Sequence, residues 1–296
     1  MSERETGHIA FLGLGTMGAR MSRRLVEAGF DVVGFDPSET ARASLTAVGG
    51  RVATSAAAAA AGATHLILML PSSPVVESVL GDEQVLSTLG PGAIVIDMSS
   101  SEPQSTQRLA TVLAGRGITL VDAPVSGGVR GAAAGTLTIM IGGPEDIVAQ
   151  LDSVLAPLGK VRHIGSSGAG HAVKAINNLL AAVNLLAAAE AVAAGRRFGL
   201  DPAVIIETVN AASGRSAATE LKFPQAILPE TFDSGFALAL MLKDMRIATD
   251  LAAALGIPAA LGERAVELWT RAAADLGPSA DQTDIARWAD APSANH

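Results

Sequence analysis

Lys174 stands at the front of "AINNLLAAVNLLAAAEAVAAG", where no further charge occurs until Glu190. A lysine on a solvated helix face usually has charged company, so its isolation among alanines and leucines calls for a reason. Asn178 lies four residues on and Asn177 three, positions that share a helix face with it. Desolvation by apolar neighbours disfavours an ammonium and moves a lysine toward the neutral form that a general base needs near pH 7. Asn178 could hold a substrate hydroxyl or orient the amine, and Gly168 and Gly170, just ahead, permit a close backbone approach. A surface lysine on a helix edge is the plainer reading of any single lysine. His171, one turn earlier, is a rival base.

Two glycine clusters add further chemistry. In "DAPVSGG", Ser126, Gly127 and Gly128 follow an apolar run. Successive N–H groups beside a hydroxyl make a compact site for a carboxylate, or simply a glycine-rich turn. Near the N-terminus, "IAFLGLGTMGAR" spaces Gly13, Gly15 and Gly18 as G-x-G-x-x-G, after one apolar run and before a helical segment. That context predicts a dinucleotide loop: a tight turn at Gly13, approach of the pyrophosphate at Gly15, and close helix–sheet packing at Gly18. Asp36 ends the second apolar run, "DVVGFD". It can bond the adenosine ribose and would repel a 2′-phosphate, or it can cap a helix beginning at Pro37; the two roles can coexist. The acid favours NAD over NADP, with Ser38 and Arg42 as the nearby groups that would serve a phosphate instead.

These residues need a frame to hold them. "HIAFLG", "DVVGFD", "HLILMLP", "AIVIDMS", "ITLVDAP" and "LTIMIGG" are short apolar runs bounded by Gly, Pro, Asp or Ser, mostly separated by helical stretches. Buried strands alternating with helices predict a parallel, doubly wound sheet of the Rossmann type over residues 1–166. The alanine run at 56–61 reads as a helix packed on that sheet. Residues 167–296 read as helix throughout, with breaks at 198–202, 210–216, 222–235 and 255–258 and a helix start at Asp201-Pro202. The expectation is an α/β domain followed by an all-α domain, joined by one long helix from near Gly170.

Composition narrows the function. The 296 residues are 49% hydrophobic with net charge −8, which fits a folded globular enzyme and argues against nucleic acid or an anionic membrane as the partner. The absence of cysteine excludes disulfides, thiol chemistry and cysteine-ligated metal. The opening "MSERETGHIAFLGLG" carries charges of both signs and no signal-peptide core, so a cytoplasmic protein is expected. The apolar regions 53–71 and 175–194 are alanine-rich and interrupted by polar residues, and do not read as membrane spans. Residues 175–194 carry too little charge for a single helix of a small domain to leave exposed on every side, which predicts a homodimer or homotetramer.

Taken in order, these motifs resemble those of the β-hydroxyacid dehydrogenases over nearly the whole chain. "GLGTMG" is similar to the family's cofactor loop, which implies that Gly13, Leu14, Gly15, Thr16, Met17 and Gly18 contact the dinucleotide. "MLP" and "DMSSSEP" resemble its nicotinamide-side segments, implying roles for Leu70, Pro71 and Ser100, the last standing where the family usually has threonine. "DAPVSGG" with "GTLTIMIGG" matches its substrate motif, and "GAGHAVKAINN" its catalytic signature, implying Lys174 as acid/base and Asn178 as its substrate-holding partner. "GFALALMLKD" is similar to its C-terminal site segment, implying that Phe236, Lys243 and Asp244 serve the substrate and that Lys243 also closes over the cofactor. The resemblance implies an NAD-dependent enzyme that interconverts a small 3-hydroxy carboxylate with its 3-oxo acid, without a metal. It points to a 3-hydroxyisobutyrate-like substrate, with tartronate semialdehyde and L-threonate types as alternatives. Residues 210–224 are expected to line the substrate pocket. Imine reductases, a 6-phosphogluconate-type decarboxylating enzyme and an inert NAD-binding module are the competing readings.

Overall fold

The computed structural model describes residues 7–291; the charged opening residues 1–6 lie outside that range. The chain divides into two compact units after Lys174, inside the long helix and later than the boundary expected at 166.

The first unit is built on a nine-stranded sheet ordered β3-β2-β1-β4-β5-β6-β8-β7, with β9 also paired to β8. The strands are β1 (His8–Leu12), β2 (Val32–Phe35), β3 (Arg51–Val52), β4 (Ala63–Leu68), β5 (Ile94–Asp97), β6 (Thr119–Asp122), β7 (Val125–Ser126), β8 (Leu137–Gly142) and β9 (Gly159–Gly165). All six apolar runs form strands, because both sheet faces are covered and alternate side chains enter different cores. On β1, Ile9 and Phe11 join one cluster with Met21 and Leu25, while Ala10 and Leu12 join another with Ala59, Ala60 and Leu66. Each fully buried side chain of the size of Phe11 or Leu25 contributes about 1.5–3 kcal/mol.

From β3 to β6 the sheet is parallel, but β8 runs antiparallel to β6 and β7. This departs from the wholly parallel expectation. With only Ala123 and Pro124 between them, β6 and β7 run in the same direction and pair in succession with β8, which returns antiparallel after the short helix Gly128–Ala134. The helix Ala56–Ala60 forms as expected, with the Ser55 hydroxyl accepting the Ala58 N–H at 3.1 Å.

Register places the functional segments side by side. Leu12 pairs with Phe35 and with Leu68, Leu68 with Asp97, and Asp97 with Asp122. The carboxyl ends of five strands therefore form one row, at the edge where doubly wound sheets bind their ligands.

The second unit is helical. Its buried face of the long helix Ala169–Arg197, with Ala182, Leu185, Leu186 and Ala189, shares a core with Phe223, Met245 and Trp269. By length and composition alone this helix could cross a membrane, but a third of its most apolar window is buried inside the protein. Pro202–Asn210 starts where expected, with Asp201 accepting the Ala203 N–H at 2.7 Å. The break expected at 222–235 begins later, because Ala218–Ile227 is a π-helix that continues through Pro224. In i→i+5 spacing the N–H that Pro224 lacks would have met the Thr219 carbonyl. The Asn210 amide donates to that carbonyl instead, at 3.1 Å.

This substitution of a side-chain donor for a missing backbone donor can be tested. Asn210→Ala should lower unfolding free energy by about 0.5–1.5 kcal/mol in the wild-type background. In a Pro224→Ala background the cost should shrink, because a backbone N–H then serves Thr219. Equal costs in the two backgrounds, measured by denaturant titration, would rule the substitution out.

Candidate active site

The dinucleotide loop follows β1. Gly13 sits at φ +93°, and a Cβ there would lie 2.3 Å from the Met69 carbonyl oxygen. A Cβ on Gly18 would lie 1.8 Å from the Gly13 carbonyl oxygen, so the helix Gly18–Glu27 can pack at this distance only with glycine. At Gly15 a Cβ would meet nothing within 4 Å among the described residues, leaving that side of the loop open to a phosphate. The three glycines thus fit a bound dinucleotide in the separate ways their spacing suggests.

Asp36 has a duty that its position in sequence does not reveal. One carboxylate oxygen accepts the N–H of Leu14 in the glycine loop at 2.8 Å; the other accepts the N–H of Ser38 at 2.8 Å. The helix that follows is Glu39–Thr46, starting two residues after Pro37, and its N-cap is Ser38, not Asp36. Arg42 is committed to the carbonyls of Asp36 and Pro37, at 2.6 and 3.0 Å.

The nicotinamide-side segments are tied to one another. The Leu70 N–H donates to the Ser99 hydroxyl at 2.9 Å, joining the half-buried Leu70 and exposed Pro71 to the segment that carries half-buried Ser100. Asp97, at the end of β5, accepts the Ser99 N–H at 3.0 Å and the Ser101 hydroxyl at 2.8 Å. Ser126 ends β7, and Gly127 and Gly128 follow at φ +129° and +61°, a conformation open to glycine that leaves both exposed. Gly127 is the N-cap of the helix Gly128–Ala134, and Ser126 just before it is half-buried.

Asp122, at the end of β6, is fully buried. Its two oxygens accept the Gly168 N–H at 2.7 Å and the His171 N–H at 2.8 Å, seating the first turn of the long helix on the sheet edge. Burial pushes the Asp122 carboxyl above the usual carboxylate range; the neighbouring His171 and the backbone donors act against that rise. Gly170 is required at this seat, since a Cβ would lie 2.2 Å from the Met140 carbonyl oxygen. The His171 ring is enclosed, with Nε2 3.1 Å from the Ser99 carbonyl oxygen and Nδ1 2.8 Å from the Thr106 hydroxyl. Both ring nitrogens are engaged in this internal network, which is no position for a base.

Lys174 lies three residues further along the same helix and is 9% exposed, with Asn178 5% exposed one turn on. In the helical unit, Asn178 Nδ2 donates to Asp244 Oδ2 at 2.6 Å and Asn178 Oδ1 accepts from Asn177 at 3.1 Å. The Lys243 amine is 2.9 Å from the other Asp244 oxygen. The Asn178 amide is thereby turned in a single sense, with one N–H and one lone pair left for a ligand. Phe236 is held by its own N–H on Asp281 at 3.1 Å. Of the segment 210–224, Lys222 stands out: burial pushes its amine below the usual range, opposed by Asp281.

The sequence reading assigned no role to Asp97, Asp122 or Asp281. Asp122 and Asp281 work through partners remote in sequence, Asp97 through Ser99 and Ser101 just beyond it, and the available signal was an acid at a strand or helix end.

Two family models match, the NAD binding domain of 6-phosphogluconate dehydrogenase over residues 8–170 and the NAD-binding domain of NADP-dependent 3-hydroxyisobutyrate dehydrogenase over 168–289. The chain is 39% identical over 263 residues to 2-(hydroxymethyl)glutarate dehydrogenase of Eubacterium barkeri, covering 88% of this chain and 87% of that one. It is 40% identical over 270 residues to 3-hydroxyisobutyrate dehydrogenase of Pseudomonas aeruginosa, covering 88% and 91%. The solved structure of Mycobacterium tuberculosis 3-hydroxyisobutyrate dehydrogenase with L-serine superposes with a TM-score of 0.91 at 37% identity, covering 97% of this chain and 100% of that one.

Because Asp36 also holds Leu14, truncating it would loosen the loop for either dinucleotide. Asp36→Asn is the milder change, since it removes the charge and keeps one of the two acceptor oxygens. It should lower the ratio of kcat/KM for NAD over NADP roughly tenfold, the scale of one near-surface charge interaction. A wild-type protein that prefers NADP in steady-state assays would confine Asp36 to the loop.

Proposed function

This chain belongs to the β-hydroxyacid dehydrogenase family and is an NAD-dependent hydroxy acid dehydrogenase, and on that premise we propose that it interconverts a small 3-hydroxy carboxylate of the 3-hydroxyisobutyrate type with its 3-oxo acid. The observation that carries this reading is Lys174, buried at the start of a helix seated on Asp122, with the oriented Asn178 amide one turn away.

Bound NAD supplies the acceptor for the hydride that leaves the substrate's hydroxyl-bearing carbon. The protein's own residues do the rest. Ser126 with the N–H groups of Gly127 and Gly128 holds the substrate carboxylate. The Lys174 amine takes the hydroxyl proton during oxidation and returns it during reduction. Asn178 holds the hydroxyl, and Asp244 fixes the sense of its amide. Lys243 balances the Asp244 charge and attends the cofactor. Phe236 lies beside the substrate. One carbon separates the carboxylate from the reacting centre in such acids, which accounts for an anion site distinct from the acid/base. A panel of 3-hydroxy acids, including 3-hydroxyisobutyrate, serine, 2-(hydroxymethyl)glutarate and threonate, followed at the nicotinamide absorbance, distinguishes the substrate side chain. Preference for a 2-hydroxy acid such as lactate, assayed beside that panel, would refute the reading.

Lys174→Ala should reduce kcat by roughly 10²–10⁴-fold, the range for loss of positioned acid–base catalysis. NAD affinity should hardly change, because the glycine loop is another segment. Lys174→Arg should restore little, since a guanidinium does not deprotonate near neutrality. In oxidation, kcat/KM of the wild type should rise with pH through a limb that is missing from Lys174→Ala. Retention of most activity by Lys174→Ala would reduce the lysine to a structural role.

We also infer a homo-oligomer, dimer or tetramer. Ile176 and Leu180 on the long helix are 46% and 59% exposed, and Leu255, Ile257 and Leu261 are 59–71% exposed elsewhere in the helical unit. Apolar surface of this kind is commonly buried against a second copy. Sedimentation should give a dimer or tetramer at micromolar concentration; a stable monomer contradicts the inference.

A further inference from the structure

We propose that Asp122 and His171 are positioning residues that fix the distance between the lysine's helix and the nicotinamide-side wall; the inference rests on Lys174 as acid/base. Asp122 accepts two N–H groups of the helix's first turn, at 2.7 and 2.8 Å, donors that have no partner within a helix. Its charge also faces the positive end of the helix dipole. The seat has no slack. A Cβ on Gly142 would lie 2.6 Å from one Asp122 oxygen, and one on Gly170 would lie 2.8 Å from the other. Lys174, three residues beyond His171, stands about 4.5 Å higher along the axis, so the seat sets its height above the strand ends.

His171 carries this constraint sideways. A carbonyl only accepts, so Nε2 donates to the Ser99 oxygen at 3.1 Å, and in the neutral ring Nδ1 accepts from the Thr106 hydroxyl at 2.8 Å. Ser99 in turn receives the Leu70 N–H and donates its own N–H to Asp97. The ring lies between two carboxylates, 3.8 Å from Asp97 and 3.9 Å from Asp122. A continuous path therefore runs from Leu70 and Ser99, through His171, to the turn that precedes Lys174. Acid–base transfer and hydride departure occur at one carbon, so the lysine and the nicotinamide wall must keep a fixed separation. A misplacement of 1 Å can cost about 10²-fold in rate.

The test uses the full-length protein. Asp122→Asn keeps the volume but offers one oxygen to two N–H donors. Its kcat should fall roughly 10- to 100-fold, with KM for NAD unchanged within about threefold and the alkaline limb of the pH profile still present. The primary deuterium isotope effect on kcat should rise, because the reacting geometry has become the slow step. His171→Gln keeps a donor for the Ser99 carbonyl and should retain most of the kcat that His171→Leu loses. Wild-type kcat in Asp122→Asn overturns the proposal. So does a loss of Tm and NAD affinity with unchanged kcat per folded molecule, which marks a structural role. Where Asp122→Asn does not fold, the histidine pair decides, and equal kcat in His171→Gln and His171→Leu overturns it. An active Lys174→Ala would instead sink the acid–base reading, whatever Asp122 does.

Discussion

The structure turns on one buried carboxylate meeting one helix end. Asp122 has given up hydration, and the pair of first-turn N–H groups, its own backbone N–H and the imidazole beside it compensate for that loss. Such a group contributes little net stability compared with an apolar replacement, but it specifies a single docking geometry where an apolar contact would allow the helix to slide. The glycines at 142 and 170 make the same point sterically, since each leaves room for the carboxylate and nothing larger. Lys174, one turn further along the helix, stands next to this contact.

At the other end of the row of strands, glycine serves differently. Gly13 and Gly18 are needed because neighbouring backbone already occupies the places a Cβ would take, whereas Gly15 leaves its space open. Asp36 links the loop to the second strand through Leu14, so one carboxylate shapes the loop and sets the charge beside it. Loop conformation and the charge beside the loop are therefore coupled, and neither can be altered alone by removing the side chain.

The sheet was legible wherever strands bury both faces, since β1, β2, β4, β5, β6 and β8 are continuous apolar runs. The strands β3, β7 and β9 were not. Two contain just two residues, and β9, "GKVRHIG", is largely exposed and charged, so it carries no apolar run. Pro224 predicted a break, and the helix continued because Asn210 supplied the missing donor from another helix. Lys174 and Asn178 could be proposed from spacing and isolation, properties a single helix displays. Asp122 and His171 were quoted within motifs without a positioning role, because that role exists only once strand ends and helix start meet. His171 looked like a base in sequence because a histidine near a lysine can titrate, and enclosure of both its ring nitrogens removes it from that role.

The division of labour between Lys174 and Asn178 follows from their chemistry. An amide gains and loses no proton near neutrality, so Asn178 can only hold and orient. Its usefulness depends on which end faces the ligand, and Asp244 decides that by accepting from Nδ2 while Lys243 balances the carboxylate. An amine exchanges a proton but has three rotatable donors on a flexible stem, so its usefulness depends on being placed. The fold meets these two needs by separate means, an ion pair that orients the amide and a seated helix that positions the amine. Since the two residues are one turn apart on a single helix, the helix itself sets the spacing between the amine and the amide, whatever roles they serve.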